Sequence, residues 1–241
     1  MRRLPRRVVV TDVPADGADR PLDADAAHYV ERVLRLADGH PVELLDGSGR
    51  TALAVLQWRD GVAWAVAVSA VTEAVPEPAI VLAAALIKAT RWEWVIEKAA
   101  ELGATRIIPL DAARSVVRVP AKKADAKLER WGRIAAAAAR QSGRALAPTI
   151  DPPASLRDAL AAIGDATPVR LDFGGRAHAL DMHAAAPIAV FVGPEGGFTD
   201  DERRILDNHG AVVASLGDAV LRAETASLAA LAAIRIARAR A

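Results

Sequence analysis

Two short glycine-bearing stretches in the last quarter of the chain hold residue types that could do chemistry. In the first, Val190-Phe191-Val192 runs into Gly193-Pro194-Glu195-Gly196-Gly197-Phe198, followed by Thr199-Asp200-Asp201-Glu202. At Gly196 and Gly197 the backbone can approach a ligand edge, because glycine presents no Cβ, and a side chain at Gly196 is expected to strain a positive φ there. Thr199 and Glu202 have the spacing of a capping box that opens the next helix. The glycines are not spaced as a dinucleotide fingerprint, and no Gly-Lys-Ser/Thr follows to make a phosphate loop. An ordinary strand-to-helix connection is the plain alternative. In the second stretch, Leu216-Gly217-Asp218-Ala219-Val220-Leu221-Arg222-Ala223-Glu224-Thr225-Ala226 places another glycine turn after a neighbouring strand. Open α/β sheets hold their ligands at that edge. Arg222 and Glu224 stand two residues apart before a helix; they either share a cleft as a charged pair or serve only to pair and cap.

A third group is cationic. Arg114 and Arg118 follow a strand, a long helix carries Arg130, Arg133 and Arg140, and Arg144 comes just after it. Arg2, Arg3, Arg6 and Arg7, together with Arg32 and Arg35, extend the set at the other end of the chain. Such a face is either simply solvated or takes phosphates, which give affinity without sequence readout. The histidines (His28, His40, His178, His183 and His209) show no metal-ligand spacing, so no metal is expected. No Gly-x-Ser-x-Gly elbow announces a hydrolase. Trp92, Trp94 and Trp131 read as packing residues.

Elements must position these groups. Over residues 1–75 the pattern is of short strands: Val8 to Val10, the runs flanking Asp46-Gly47, and Val62 to Val68 after Asp60-Gly61. Asp-Gly between apolar runs signals a hairpin, and strands at this spacing predict a small barrel. Asp23 opens a capped helix, and Val75-Pro76-Glu77-Pro78 reads as a linker. From residue 79 to 241, strand and helix alternate. Ala79 to Ile87 is apolar throughout, as a buried parallel strand should be. Helices are predicted over 91–102 (with Trp94, Val95, Lys98 and Leu102 at helical spacing and Gly103 as its stop), 122–141, 155–163, 200–208 and 224–240. Strands are predicted over 105–110, 169–173, 188–192 and 211–216. The alternation implies an α/β domain with a parallel sheet covered on both faces.

Composition sets the outer limits. At 52% hydrophobic and 25% charged, the 241-residue chain can bury a core and is not disordered along its length. Its formal net charge of +1 excludes a strongly basic coat but not local patches. With no cysteine, disulfides, thiolate zinc sites and cysteine nucleophiles are absent together. The nine-residue apolar run at 79–87 is too short to span a bilayer, and only three valines follow the basic start, which is no secretory segment. A soluble, cytoplasmic protein without membrane contact is expected.

The two glycine stretches, in this order, resemble the RsmE family of SPOUT-class 16S ribosomal RNA methyltransferases. The likeness continues through His28-Tyr29-Val30, Leu45-Asp46-Gly47, Glu97-Lys98-Ala99-Ala100-Glu101-Leu102-Gly103, Arg106-Ile107-Ile108-Pro109-Leu110, Arg114-Ser115 and Gln141-Ser142-Gly143-Arg144-Ala145. It implies an N-terminal PUA-like RNA-binding barrel over 1–75 and a SPOUT domain with a trefoil knot over 79–241, acting as a homodimer; the apolar stripe Leu228, Leu231 and Ile234 of the final helix is the expected packing face. It further implies methylation of uridine N3 in 16S ribosomal RNA, free or within the small ribosomal subunit, with S-adenosyl-L-methionine as cofactor. Mapped by motif, the cofactor residues are Gly193, Pro194, Glu195, Gly196, Gly197, Leu216, Gly217, Leu221 and Arg222. Arg222 and Glu224 are the candidate catalytic residues, and Arg6, Arg7, Arg32, Arg35, Arg114, Arg133 and Arg144 the candidate RNA contacts. Three departures stand out. Arg140 occupies a position more often acidic in the family, Asp218-Ala219 replaces a basic residue and proline, and 171–181 matches poorly. Two rival readings remain: a non-catalytic, ribosome-associated RNA-binding protein, and an α/β enzyme using a different nucleotide.

Overall fold

The computed structural model describes residues 5–14, 18–67, 69–73, 77–176, 180 and 186–240. Arg2, Arg3, Val75, Pro76, His178 and His183 fall outside these, as do Val68 and most of 177–185. The chain divides into two units, one of residues 1–75 with 139–147 and one of residues 76–138 with 148–241.

In the first unit the strands are β1 (Arg6–Val9), β2 (Asp19–Pro21), β3 (Pro41–Leu45), β4 (Arg50–Arg59), β5 (Val62–Ala67) and β6 (Thr72–Glu73). They form one sheet in the order β1-β3-β4-β5-β2, with β6 on β4. Only β1 and β3 pair in parallel within it, with Val8 opposite Leu44. The predicted hairpin at Asp60-Gly61 forms with φ of 50° and 79°, the doubly left-handed turn whose twist matches the strands it joins. A short helix, α1 (Ala24–His28), starts on Asp23, whose Oδ1 accepts from Ala26 N at 2.9 Å. It passes directly into a π-helical turn, Tyr29–Val33. Val8, Val30, Val42, Leu44 and Leu56 fill the core. Segment 139–147 joins this unit through a bridge between Ser48 and Leu146 and a hydrogen bond from Gly49 N to Ala145 O at 2.9 Å. A boundary drawn at 75–79 by chain position alone does not foresee that return.

In the second unit β7 (Ile80–Ala85), β8 (Arg106–Leu110), β9 (Thr149–Ile150), β10 (Thr167–Arg176), β11 (Ile188–Val192) and β12 (Val212–Ala214) alternate with helices. These are α2 (Ala89–Leu102), α3 (Ala124–Gln141), which continues into the 139–147 segment, α4 (Leu156–Ala162), α5 (Asp200–Asn208) and α6 (Ala223–Arg240). The sheet order is β12-β10-β11-β7-β8-β9, and every pairing is parallel. All six residues of β7 are buried, Ile80, Leu82 and Ala84 in one apolar cluster and Val81 and Ala83 in another. Helices on both faces explain why this strand is an unbroken apolar run. α2 ends at Gly103, whose φ of 92° supplies the left-handed C-cap.

Two expectations about helix faces are corrected. Trp94 is exposed; the buried stripe of α2 is Trp92, Val95, Ile96 and Ala99, and Trp92 meets Trp131 edge-on at 5.9 Å. The stripe Leu228, Leu231 and Ile234 of α6 was expected at a dimer interface. Leu231 and Ile234 are instead fully buried, and all three pack in the unit's own core.

Arg106 ties β8 to its neighbours. Its Nε and Nη2 bond Asp151 at 3.0 and 2.6 Å, and its Nη1 donates to Ala162 O, the last residue of α4, at 2.5 Å. Replacing Arg106 with Ala leaves a half-buried carboxylate and a helix-end carbonyl without their donor. The change should lower unfolding free energy by about 2 kcal/mol, measured by urea denaturation. A loss under about 0.5 kcal/mol would mean the pair is merely solvated.

Candidate functional site

The C-terminal ends of β10, β11 and β12 open onto a cavity of about 130 Å³. Val192, Gly193, Pro194, Glu195, Gly197 and Phe198 form one side, from the loop after β11. Ser215, Leu216, Gly217, Ala219, Val220 and Leu221 form the other, from the loop after β12, with Ala223 and Ala226 of α6 behind them. Leu171 and Asp172 of β10 supply the wall that the sequence left unassigned. Seven of the residues singled out by motif therefore meet in one place: Gly193, Pro194, Glu195, Gly197, Leu216, Gly217 and Leu221. Gly196 and Arg222 are not among its lining.

Local chemistry holds the first loop in shape. Thr199 and Glu202 form the predicted capping box at the start of α5. Glu202 also reaches out of the helix: its Oε1 accepts from Ala113 N, in the loop after β8, at 2.8 Å. Arg114, from that same loop, donates Nη1 to the Gly196 carbonyl at 2.6 Å. The residue expected to touch RNA thus also clamps the glycine turn.

Of the three glycines in the turn, Gly193 and Gly197 need to be glycine more than Gly196 does. A Cβ on Gly193 would lie 3.0 Å from Phe198 N and 3.2 Å from the Gly197 carbonyl carbon, with no flexible group to yield. Gly197 holds φ at 65°, in the left-handed region. Gly196 does not, so the expected backbone strain there is absent, and its Cβ would meet only the Arg114 side chain, at 3.2 Å.

The expected pairing of Arg222 with Glu224 does not form. Arg222 is exposed, and its side chain makes no ion pair among the described residues. Glu224 is buried, with Oε1 3.4 Å from Arg91 Nη1 and Oε2 without a hydrogen-bond partner. Arg91, on the first turn of α2, is a partner that spacing along the chain could not reveal. Asp172 sits in a charged network: Arg170, itself buried, donates to it and to Asp207, and Arg203 Nε lies 2.9 Å away.

The remaining candidate arginines are spread out. In the first unit Arg6 is exposed, Arg7 pairs with Glu43 at 2.8 Å, Arg32 lies 3.6 Å from Glu31, and Arg35 holds a left-handed φ of 49°. Arg144 is half-buried and engaged. In the second unit Arg133 projects from α3 with only Glu129 nearby, at 4.0 Å, while Arg118 pairs with Asp111 at 2.8 Å. Exposed pairs of this kind are weak and exchange readily for phosphate. Among the described residues no group of three or more His, Asp or Glu is placed to hold a metal, and no helix is long and apolar enough to cross a membrane.

The RNA methyltransferase domain family matches residues 75–235. The ribosomal RNA small subunit methyltransferase E of Mycobacterium bovis is 32% identical over 235 residues, covering 94% of this chain and 90% of its own. The protein of that name from Bacillus subtilis is 32% identical over 226 residues, 88% of each chain. Among solved structures, ribosomal RNA small subunit methyltransferase E from Neisseria gonorrhoeae, bound to S-adenosyl methionine, aligns with a TM-score of 0.71 at 28% identity. That alignment covers 97% of this chain and 98% of the other. A Legionella pneumophila methyltransferase in complex with the bound cofactor SAM gives 0.71 at 30% identity, over 97% and 98%. The chain belongs to the RNA methyltransferases, and within them to the ribosomal RNA small subunit methyltransferase E family.

The loop geometry makes a direct prediction. Gly193→Ala should cost about 2 kcal/mol in thermal unfolding, because backbone must move to admit the methyl group. Gly196→Ala should cost under about 1 kcal/mol, since the Arg114 side chain can swing aside. Equal losses would show that the turn does not depend on the close approach at Gly193.

Proposed function

We propose that this protein transfers the methyl group of S-adenosyl-L-methionine to N3 of a uridine in 16S ribosomal RNA of the small ribosomal subunit. The observation that carries this reading is the pocket built from two glycine loops at the strand ends, with a lining that fits that cofactor. Its walls are apolar at Val192, Phe198, Leu216 and Leu221, as a nucleoside requires, and among the described residues its only charged lining residues are Asp172 and Glu195. No Lys or Arg is present in that lining, which suits a ligand with a cationic centre and disfavours a polyphosphate. That argues against an enzyme using a phosphorylated nucleotide. Gly193, Pro194, Glu195, Gly197, Leu216, Gly217 and Leu221 would hold the cofactor, which supplies a methyl group on a sulfonium that is already a good leaving group.

The protein's own contribution is then alignment and charge. Uridine N3 must lose its proton as it is methylated, and the negative charge that develops on the base needs a cation nearby. Arg222 follows Leu221, which lines the pocket, and makes no ion pair among the described residues, so it takes that role. Glu224 is turned to Arg91, so it orders the start of α6 rather than holding Arg222. Holding N3 in line with the methyl group supplies most of the remaining rate.

The same reading gives residues 79–241 a SPOUT fold with a trefoil knot and residues 1–75 a PUA-like RNA-binding barrel. The strand order supports the first: β12 lies beyond β10 while β11 lies inside it, so the chain must cross β10 between them. A homodimer and a cytoplasmic location complete the reading. Val116 and Val220, the most exposed large apolar side chains, beside or near the site loops, support a partner surface there.

Incubation with tritiated S-adenosylmethionine and ribosomal RNA from a strain lacking the modification should label 16S RNA, and mass spectrometry should place the methyl on uridine N3. Saturating cofactor at one hundred times its Kd should add about 2.7 kcal/mol of stability. RNA binding without transfer would make the protein a ribosome-associated RNA-binding protein. Stabilisation by another nucleotide alone would make it a different α/β enzyme.

A further inference from the structure

The first unit contains a hollow of about 630 Å³ that methyl transfer leaves unused. Two guanidinium groups, Arg7 and Arg140, line it together with Tyr29 and the carboxylates of Asp23, Asp25 and Asp46. Two of those carboxylates are spent on the fold. Asp23 accepts from Ala26 N and Thr11 N, and Asp46 accepts from Ser48 N and Ser48 Oγ at 2.9 and 2.6 Å. Asp25 is exposed and has no side-chain partner among the described residues.

The cations are less committed. Arg7 gives Nε to Glu43 and Nη1 to the Gly143 carbonyl, leaving the rest of its guanidinium donors open. Arg140 is exposed, and its side chain makes no hydrogen bond or ion pair among the described residues. Tyr29 keeps 39% of its surface exposed, unusual for a large ring beside a cavity. It also opens the π-helical turn, a geometry that recurs at functional sites because it re-aims side chains.

The parts match the parts of a nucleotide: guanidinium donors for a phosphate, an exposed ring for a base, and a free carboxylate for a base or ribose donor. We propose that this hollow binds one unpaired nucleotide of the RNA substrate, with phosphate on Arg7 and Arg140 and the base stacked on Tyr29. The proposal rests on the RNA-methyltransferase reading and extends it to a second contact, in the first unit. The site reads an unstacked base, so a duplex does not fill it.

The full chain is tested by fluorescence anisotropy with a labelled single-stranded oligouridylate, and with a duplex of equal length. Tyr29→Ala should raise the Kd for the single strand about tenfold, and Tyr29→Phe should leave it within about twofold. Arg140→Glu should also weaken binding and reduce the slope of log K against log salt by about 0.7, the effect of one phosphate contact on a single strand. Duplex binding, thermal stability and S-adenosylmethionine affinity should not move in any variant. Unchanged single-strand affinity in Tyr29→Ala and Arg140→Glu, with wild-type binding and methyl transfer intact, overturns this site alone. Equal losses on duplex and single strand make the hollow a general phosphate patch and also overturn it. A wild type that neither binds nor methylates RNA overturns the functional reading as well.

Discussion

Glu202 is only 7% exposed, yet its carboxylate takes donors from two separate loops. Oε2 accepts from Thr199 N at 2.8 Å and Thr199 Oγ1 at 3.1 Å, which starts α5 directly beneath the glycine turn. Oε1 accepts from Ala113 N at 2.8 Å, which fixes the loop after β8. A buried charge is tolerated only when it is fully hydrogen-bonded, and here the bonding is also what brings the loops together. Arg114 closes the same junction from the other side through the Gly196 carbonyl. The pocket wall formed by residues 193–198 is therefore held from outside the strand and helix that flank it.

Charge is sorted around this junction. The near-zero net charge conceals a pocket with no cation among its described lining residues and arginines displayed elsewhere on each unit. Asp172, which lines the pocket, is neutralised from behind by Arg170 and Arg203, neither of which is among the lining residues. The pocket can therefore be mildly acidic without exposing an unpaired buried carboxylate. Glu224, outside the pocket lining, is met at the start of α6 by Arg91 through one oxygen alone, its Oε2 having no hydrogen-bond partner.

Local rules made much of this legible from residues alone. The apolar run around β7, the Asp23 and Thr199–Glu202 caps, the Asp60-Gly61 turn and the Gly103 stop each depend on a few neighbouring residues, and each forms as expected. The two glycine loops could be placed at strand ends because strand and helix alternate. What failed depends on distant partners. Trp94 and Trp92 are both compatible with a helix, and only the packing of α2 against the core selects Trp92. Two residues of separation made Arg222 the obvious mate of Glu224, yet Arg91, more than a hundred positions away in sequence, is nearer in space. The return of 139–147 to the first unit has no compositional signal, because it rests on backbone bonds to Gly49 and Ser48. Asp172 lay in a segment that matched poorly, and its place in the pocket lining is held by Arg170 and Arg203, the latter some thirty positions away.

The central claim is that one buried carboxylate organises the cofactor loop, and Glu202→Gln tests it with almost no change of shape. The amide must turn its NH2 toward either Ala113 N or Thr199 N, so one of the two loops loses its acceptor. Calorimetric titration with S-adenosylmethionine, read beside the unfolding free energy, separates loop order from general stability. The account predicts at least about tenfold weaker cofactor binding in a protein that stays folded and loses about 1–3 kcal/mol. Native affinity at that reduced stability would show that the loop is held by something other than Glu202.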